Sequence, residues 1–344
     1  MVDGADRAVV LEVADLCVEL GIGGTWVRAL DDVSLTIHRG ETLGLVGESG
    51  SGKSLTALSV ARLLPDNARV VRGSVRLLGE DVLAKGAREL DRMRARSVAF
   101  IFQNPTTYLN PVLTVGRQVA ELFELNPELL DSAEGIGRWS RRELGRQAWR
   151  KSIEYLGLVK IPDPERIVTQ YPFELSGGMQ QRVVIAMALA RRPDLIIADE
   201  ITTALDVTIQ AQILSLLSEL RRTIGMTLLL ITHDMGIVAQ LADRVAVMYS
   251  GRVVEVADAR SLFRDAQHPY SKALLETVPT IHGSRAVFRP IPGSMPALTD
   301  APAGCRFHPR CAYVLPECSS VTPLALRTGP GHTVACHRYE APAG

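Results

Sequence analysis

Apolar and polar positions alternate along this chain in two ways, and together they predict a sheet covered by helices. Near the N-terminus, apolar residues at every second position over 9–13 and 33–37 predict two strands. Further apolar runs predict strands or hairpins at residues 70–78, 98–102, 195–198, 226–231, 244–248 and 252–256. Because helical patterns separate several of these runs, we expect a largely parallel sheet with helices on its faces.

The pattern changes twice, and the changes predict the domain organisation. Between residues 104 and 172, helical periodicity replaces the strand pattern. Beyond about residue 266 the chain is rich in proline and cysteine and has little periodicity. We therefore predict an α/β core with an antiparallel β subdomain over 1–103 and 173–266, a helical subdomain over 104–172, and a small separate C-terminal module over 267–344.

A glycine-rich segment lies between a predicted strand and a predicted helix. Its sequence, Gly-Glu-Ser-Gly-Ser-Gly-Lys-Ser, has the pattern of a phosphate-binding loop. Such a loop turns backbone N–H groups around phosphate oxygens at the positive end of a helix. The candidate residues are Gly47, Ser49, Gly50, Ser51, Gly52, Lys53 and Ser54. The alternative, a flexible turn before an ordinary helix, is disfavoured by the strand on one side and the helix on the other.

Two acids, Asp199 and Glu200, follow the apolar run at residues 195–198. A carboxylate at the end of a strand can approach a Mg²⁺ ion held by Ser54, while its neighbour polarises the attacking water. The alternative is an acidic N-cap for the following helix. With a phosphate loop upstream, catalysis is the preferred interpretation.

The sequence Ser176-Gly177-Gly178 opens a long helical pattern and predicts a second anion-binding site. It offers free N–H groups, a hydroxyl group and a helix dipole. One chain therefore carries two elements that bind phosphate. The economical explanation is that the second binds the nucleotide of another subunit.

Composition narrows the class of protein. The 344 residues are 47% hydrophobic and 22% charged, with 38 basic and 38 acidic residues, so no nucleic-acid or acidic-membrane surface is indicated. No apolar segment approaches the ~20 residues that span a bilayer, and the N-terminus lacks the basic region of a signal peptide. We therefore expect a cytosolic protein.

The motifs, in this order, resemble those of the ATP-binding subunit of an ABC transporter. The resemblance spans residues 9–256 and rests on the phosphate loop, Gln103, the signature from Leu175, the acids Asp199 and Glu200, the loop ending at Asp206, and His233. It implies a P-loop NTPase (RecA-like) core with an antiparallel β subdomain and a helical ABC insertion. The signature helix, 176–190, would lie at the return from this insertion.

The same resemblance implies the roles of the residues that bind and hydrolyse ATP. Lys53 and the loop amides would bind the β- and γ-phosphates, and Ser54, Gln103 and Asp199 would surround Mg²⁺. Glu200 would act as the general base.

The remaining motif residues would complete the site across a dimer. His233 would contact the γ-phosphate. Ser176, Gly177 and Gly178 would clamp the ATP of the partner chain, and Asp206 would communicate between the two chains. Each working site would therefore use residues of two chains.

Three segments resemble the dipeptide/oligopeptide (peptide/nickel) importer group: residues 104–111, residues 202–208 and the triplet His268-Pro269-Tyr270. The resemblance implies a peripheral ATPase on the cytoplasmic face of the membrane. Its partners would be two permease subunits, a second ATPase subunit (a heterodimer is favoured over a homodimer) and an extracytoplasmic peptide-binding protein. Alternatives are an importer of nickel or another small solute, an exporter ATPase, and a soluble ABC ATPase linked to nucleic acid.

Four of the five cysteines fall in the last forty residues, which in a reducing compartment indicates a metal rather than disulfides. They are Cys305, Cys311, Cys318 and Cys336. Four thiolates can coordinate a tetrahedral metal or a cubane cluster, and the resemblance to the peptide group implies a [4Fe–4S] cluster. The alternatives are Zn²⁺, with His308 or His337 as a substitute ligand, and four unligated cysteines.

Three residues outside these motifs also carry predictions. Trp26 is either the aromatic residue that stacks on adenine or a core residue of the N-terminal hairpin. Cys17 is predicted to be a buried structural thiol. Met179 ends the signature where the ABC family most often has Gln, and we expect binding by Ser176 and Gly178 to survive this difference.

Overall fold

The computed structural model describes residues 8–130, 139–201, 206–277, 280–282, 285–287 and 291–340. The chain forms two compact units, Met1–Leu90 with Thr227–Gly344 (unit 1) and Asp91–Met226 (unit 2). The three-part division expected from the sequence stays a prediction. No helix among the described residues is long and apolar enough to cross a bilayer.

Strands and helices alternate along most of the chain. In chain order, the strands are β1 (Val9–Ile22), β2 (Thr25–His38), β3 (Thr42–Val46), β4 (Ala68–Leu77), β5 (Glu80–Asp81), β6 (Val98–Ile101), β7 (Leu195–Asp199), β8 (Leu228–Thr232), β9 (Arg244–Tyr249), β10 (Arg252–Asp258), β11 (Thr280–His282), β12 (Arg285–Val287), β13 (Ala325–Gly329) and β14 (His332–Ala335). The helices are α1 (Lys53–Val60), α2 (Ala87–Arg96), α3 (Val115–Leu125), α4 (Arg141–Leu158), α5 (Pro164–Ile167), α6 (Gly177–Ala190), α7 (Val207–Ile224), α8 (Met235–Leu241), α9 (Ala259–Asp265) and α10 (Pro269–Glu276).

Unit 1 contains an antiparallel sheet with the strand order β2-β1-β4-β5. Strands β1 and β2 form the predicted N-terminal hairpin, with Gly21 opposite Trp26 next to its turn. Apolar side chains of both strands, such as Leu11, Leu30 and Ile37, are fully buried. This sheet is the predicted antiparallel β subdomain.

A second sheet of unit 1 supports the phosphate loop. In it β3 lies between β8 and β9 and is parallel to both. All five residues of β3 and of β8 are buried, which fits their mainly apolar sequences. Strand β10 is antiparallel to β9, and the turn between them at residues 250–251 agrees with the sequence pattern.

The C-terminal segment is part of this sheet and its core. Strand β14 pairs with β10, and β13 pairs with β14. Phe307 is buried in one cluster with Val247, Tyr249 and Tyr270. The sequence pattern indicates a separate, loop-like module, whereas these described residues of the segment pack into the core of unit 1. Helix α10 and strands β13 and β14 are too short to give a clear period in the sequence. The buried residues of α10 and β14 pack against β9 and β10, and β13 lies outside β14 with exposed and half-buried side chains.

Unit 2 contains the predicted helical region. Strands β6 and β7 form a parallel pair, and α3, α4 and α6 pack against one another. Helix α4 begins with a capping box, in which the Ser140 hydroxyl accepts from the Glu143 N–H and the Glu143 carboxylate accepts from Ser140. Between residues 104 and 172 the described part of the chain has helices and no strand, as predicted.

Candidate functional site

The phosphate loop connects the buried strand β3 to the first turn of α1. Gly47 has φ 155°, and a Cβ atom there would lie 2.2 Å from the Met248 carbonyl oxygen of β9. Gly52 is the N-cap of α1 with φ 104°. At position 47 the positive φ angle and the lack of space for a Cβ atom both require glycine. The close approach of β9 therefore explains the first glycine of the motif.

Lys53 places a positive charge against this loop. Its side chain is buried, and its Nζ donates to the carbonyl oxygens of Gly47 (2.8 Å) and Glu48 (2.9 Å). A buried ammonium group at the N-terminus of α1 makes the segment favourable for anions.

His233 lies beside the phosphate loop in unit 1. It follows β8, and Asp234 caps α8 by accepting from the Gly236 N–H at 2.7 Å. His233 and Ser49 line one cleft of about 580 Å³. The structure therefore places His233, the residue predicted to contact the γ-phosphate, in the same cleft as the phosphate loop.

Three predicted site residues of unit 2 lie at the carboxyl ends of one parallel strand pair. Gln103 follows β6, while Asp199 ends β7 and Glu200 comes next. Since β6 and β7 are parallel, with Ile101 opposite Ala198, their carboxyl ends lie side by side. Glu200 has φ 49°, a left-handed conformation that is uncommon for residues with a side chain and frequent at functional sites.

Tyr108 also lies near this edge, although the sequence did not predict it as a site residue. Its ring stacks on Phe102 with the ring centroids 4.5 Å apart. Burial, and then the negative charge of Asp199, raise the pKa of the Tyr108 phenol. The only sequence signal at Tyr108 is its place in a segment typical of the peptide group.

The predicted signature residues form the start of α6. The Ser176 hydroxyl accepts from the Met179 N–H at 3.4 Å. A Cβ atom on Gly178 would lie 2.6 Å from Ile209 Cγ2, so α7 requires a glycine there. Asp206 caps α7 by accepting from the Ile209 N–H at 2.9 Å. Gly178 and Asp206 thus meet at Ile209, whereas residues 202–205 of the same loop lie outside the described residues.

Two contacts between the phosphate loop and distant residues had no signal in the sequence. The Glu48 N–H donates to the Tyr270 hydroxyl at 2.8 Å, and the Glu48 carboxylate forms an ion pair with Arg310. Glu48 occupies a variable position of the loop motif, and Arg310 is 262 residues away.

The four tail cysteines are close enough to influence one another. Cys318 and Cys336 are buried, and burial raises the pKa of Cys305 to about 11, with smaller contributions from the other three thiols. Among the described residues, one group of three possible metal ligands has its ligand atoms within 4.8 Å of one another, and it lies outside the tail: Cys17, Asp31 and Asp32. Ion pairs explain the position of Asp31 in this group, since its carboxylate contacts Arg252 and Arg306.

The two histidines that could substitute for a cysteine as metal ligands have other partners. His337 pairs through Nδ1 with Glu340 (2.7 Å) and through Nε2 with the Val321 carbonyl (2.9 Å). His308 pairs through Nδ1 with the Cys305 carbonyl at 2.9 Å. Both nitrogens of His337 are engaged, so it is a poor substitute for a thiolate.

Cys17 is buried and Trp26 is exposed. Cys17 is fully buried and its Sγ donates to Asp32 at 3.1 Å, which confirms the predicted buried thiol. Trp26 is 44% exposed, with the Arg69 guanidinium 4.1 Å from its ring centroid. It is therefore not a core residue of the hairpin, because β2 carries it beyond the packed part of the sheet. Adenine stacking by Trp26 stays a prediction.

A phosphate loop between a buried parallel strand and a helix, with a histidine in the same cleft, defines a P-loop nucleotide-binding cassette. A family model described as ABC transporter matches residues 30–203, and one described as the oligopeptide/dipeptide transporter C-terminal region matches residues 254–318. The chain belongs to the ABC transporter family. The predicted resemblance, the ABC cassette fold with its P-loop core and an ATPase coupled to transport are thereby confirmed, and the four-cysteine C-terminal module stays a prediction.

Named relatives agree with these family matches. The chain is 44% identical to a putative peptide import ATP-binding protein of Brucella melitensis, covering 94% of this chain and 93% of that protein. It is 44% identical to the oligopeptide transport ATP-binding protein OppD of Salmonella typhimurium, covering 96% and 94%. A probable peptide ABC transporter ATP-binding protein of Sinorhizobium fredii is 46% identical, covering 96% and 95%.

Among solved structures, the ATP-binding cassette MJ0796, in a dimeric post-hydrolysis state bound to ADP and Pi, is similar to this chain. The TM-score is 0.60 with 28% sequence identity, covering 73% of this chain and 99% of that cassette.

Proposed function

We propose that this chain hydrolyses ATP at the phosphate loop and that hydrolysis energises the import of dipeptides and oligopeptides. The observation that carries the proposal is the loop between β3 and α1, with Lys53 buried against it and His233 in the same cleft. The peptide substrate is supported by the match of residues 254–318 and by the relatives named for peptide import.

In this proposal the chain provides an oxygen-rich set of ligands for Mg²⁺. Ser54, Gln103 and Asp199 offer a hydroxyl, an amide oxygen and a carboxylate, which are the ligands that Mg²⁺ prefers. When bound, Mg²⁺ would neutralise charge on the phosphates. Glu200 accepts the proton of the attacking water, and His233 orients the γ-phosphate.

The remaining phosphate contacts are made between two chains. Gly47, Ser49, Gly50, Ser51 and Gly52 surround the phosphates of the chain's own ATP. Ser176, Gly177, Gly178 and Asp206 act on the ATP of the facing chain. A helix N-terminus capped by Ser176 supports this assignment, because it offers N–H groups to an anion.

The partners follow from the transporter class. The chain is a peripheral subunit at the cytoplasmic face of the membrane, bound to two permease subunits. It pairs with a second ATPase subunit, for which we favour a heterodimer over a homodimer, and an extracytoplasmic binding protein delivers the peptide.

We also propose that Cys305, Cys311, Cys318 and Cys336 hold a [4Fe–4S] cluster. Burial, and then the charges of the other three thiols, raise the pKa of Cys305, and this influence supports the proposal because it requires the four thiols to lie near one another. Four thiolates around one zinc ion would lie about 3.8 Å apart, given Zn–S bonds of about 2.3 Å. In the part of the chain that the structure describes, no three of these sulfur atoms lie within 4.8 Å of one another, so the thiols are not arranged as a closed zinc site. Protein purified without oxygen should be brown, with about four iron and four sulfide per chain; colourless protein with stoichiometric zinc contradicts the cluster.

The transport proposal is tested by reconstitution. The chain is isolated with the membrane subunits that co-purify and placed in liposomes with the binding protein. Labelled peptides should accumulate only with MgATP and only with an intact Lys53. Uptake of nickel without peptide would favour the second candidate, a nickel importer, and uptake of neither would contradict the proposal.

A further inference from the structure

The C-terminal segment contacts the phosphate loop directly. Arg310 donates from its two terminal nitrogens to the Glu48 carboxylate, at 2.6 Å and 3.0 Å. The Arg310 side chain is only 6% exposed. A bidentate pair between a planar guanidinium and a carboxylate fixes orientation as well as distance. Arg310 therefore defines where Glu48 lies.

Arg310 is itself held by the fold on its other sides. Its Nε donates to the Pro292 carbonyl at 2.8 Å, and a terminal nitrogen lies 3.4 Å from the Tyr249 hydroxyl. The hydrogen bonds to Glu48 and Tyr249 raise the pKa of Arg310, so it stays charged. Because Tyr249 belongs to β9 next to β3, Arg310 connects the loop to the rigid sheet.

A second contact reaches the other side of the loop. Arg306 donates to the Ser250 carbonyl and forms an ion pair with Asp31 at 2.9 Å. The adjacent Gly251 N–H donates to the Ser51 carbonyl at 2.8 Å. The tail thus supports the loop at Glu48 and, through the β9–β10 turn, at Ser51.

We propose that Arg310 is a positioning residue for nucleotide binding, which holds the phosphate loop in its binding conformation through Glu48. This rests on the proposed role of the loop in ATP binding. Since Lys53 Nζ donates to the Glu48 carbonyl, a displacement of Glu48 also displaces the lysine that reaches the phosphates.

The test measures the affinity of the full-length chain for MgADP by titration calorimetry, so that closure against a second chain does not contribute. Arg310→Met should raise Kd about tenfold, the size typical of coupling between contacting residues. Arg310→Lys keeps the charge without the bidentate pair and should give a smaller increase. The matched control is Arg327→Met, because Arg327 is exposed and, in the part of the chain that the structure describes, donates to the Gly329 carbonyl of its own hairpin at 3.4 Å.

A double-substitution cycle separates positioning from general stability. Glu48→Gln should also raise Kd, and Arg310→Met added to Glu48→Gln should raise it no further. If the effects of the two substitutions on Kd add in the double variant, the proposal is overturned. An unchanged Kd in Arg310→Met would also overturn it.

Lys53→Ala distinguishes a failure of the proposed nucleotide site from a failure of the positioning role of Arg310. If it does not weaken binding, the phosphate loop is not the nucleotide site and the proposed function is wrong. If it weakens binding while Arg310→Met and Glu48→Gln do not, only the positioning role is wrong. Unfolding curves of each variant check that it is folded at the titration temperature.

Discussion

The buried side chain of His268 makes the stability of the fold depend on pH. It is 1% exposed, and its Nδ1 accepts from the Tyr270 N–H at 3.0 Å, so it caps α10 in the neutral form. Burial lowers its pKa from 6.5 to about 3. Between these two values the unfolded chain binds a proton that the folded chain does not. Stability should therefore be fully present above pH 6.5 and decrease as the pH falls toward 3.

The magnitude follows from linkage. Each pH unit in this window changes the free energy of unfolding by about 1.4 kcal/mol, so His268 accounts for a loss of about 2 kcal/mol between pH 7 and pH 5. The suitable substitution is His268→Asn, because Asn also accepts a hydrogen bond at an N-cap and does not titrate.

The assay is urea unfolding of the wild-type chain and of His268→Asn at pH 5, 6 and 7. Other titrating groups contribute equally to both proteins, so the difference isolates His268. We expect the wild-type chain to lose about 2 kcal/mol more than the variant on going from pH 7 to pH 5. Equal losses in the two proteins would refute the neutral, buried histidine.

Three further predictions test the site and the core. Glu200→Gln should bind MgATP with unchanged affinity and lose about a hundredfold or more in turnover; turnover at the normal rate would remove Glu200 as the general base. Gly178→Ala should abolish ATPase activity while MgADP binding is retained. Adding Ile209→Ala to this variant should restore part of the activity, because it makes room for the new methyl group. A fully active Gly178→Ala variant would contradict the close contact between Gly178 and Ile209. Glu255→Leu should lower the free energy of unfolding, measured in urea, by about 3–5 kcal/mol. The substitution leaves the N–H groups of residues 267 and 268 and the ring of His332 without their buried acceptor. A decrease below about 1 kcal/mol would show that these groups find other partners.

Much of the fold was predictable because local patterns and tertiary structure agree. The buried strands β3 and β8 are mainly apolar, and the glycines at positions 47 and 52 identify the loop between β3 and α1. The acids of β7 and the serine cap of α6 also have short-range signatures.

The contacts of the tail were not predictable for the opposite reason. The pair Glu48–Arg310 and the bond from Glu48 to Tyr270 join residues more than two hundred positions apart, and no periodicity reports such contacts. Strand β14 pairs with β10 through only two register positions, which is too short for a strand pattern. Glu255 becomes a buried acceptor only when α10 and β14 pack on β10, so its sequence context showed an ordinary polar residue in a strand.

In the proposed mechanism each ATP is held by two chains. The decisive measurement is the structure of the Glu200→Gln assembly with MgATP, prepared with the second ATPase subunit and the permeases. We predict that the triphosphate contacts Lys53 of one chain and the Ser176-type signature of the facing chain. A triphosphate bound wholly by residues of a single chain would contradict the account.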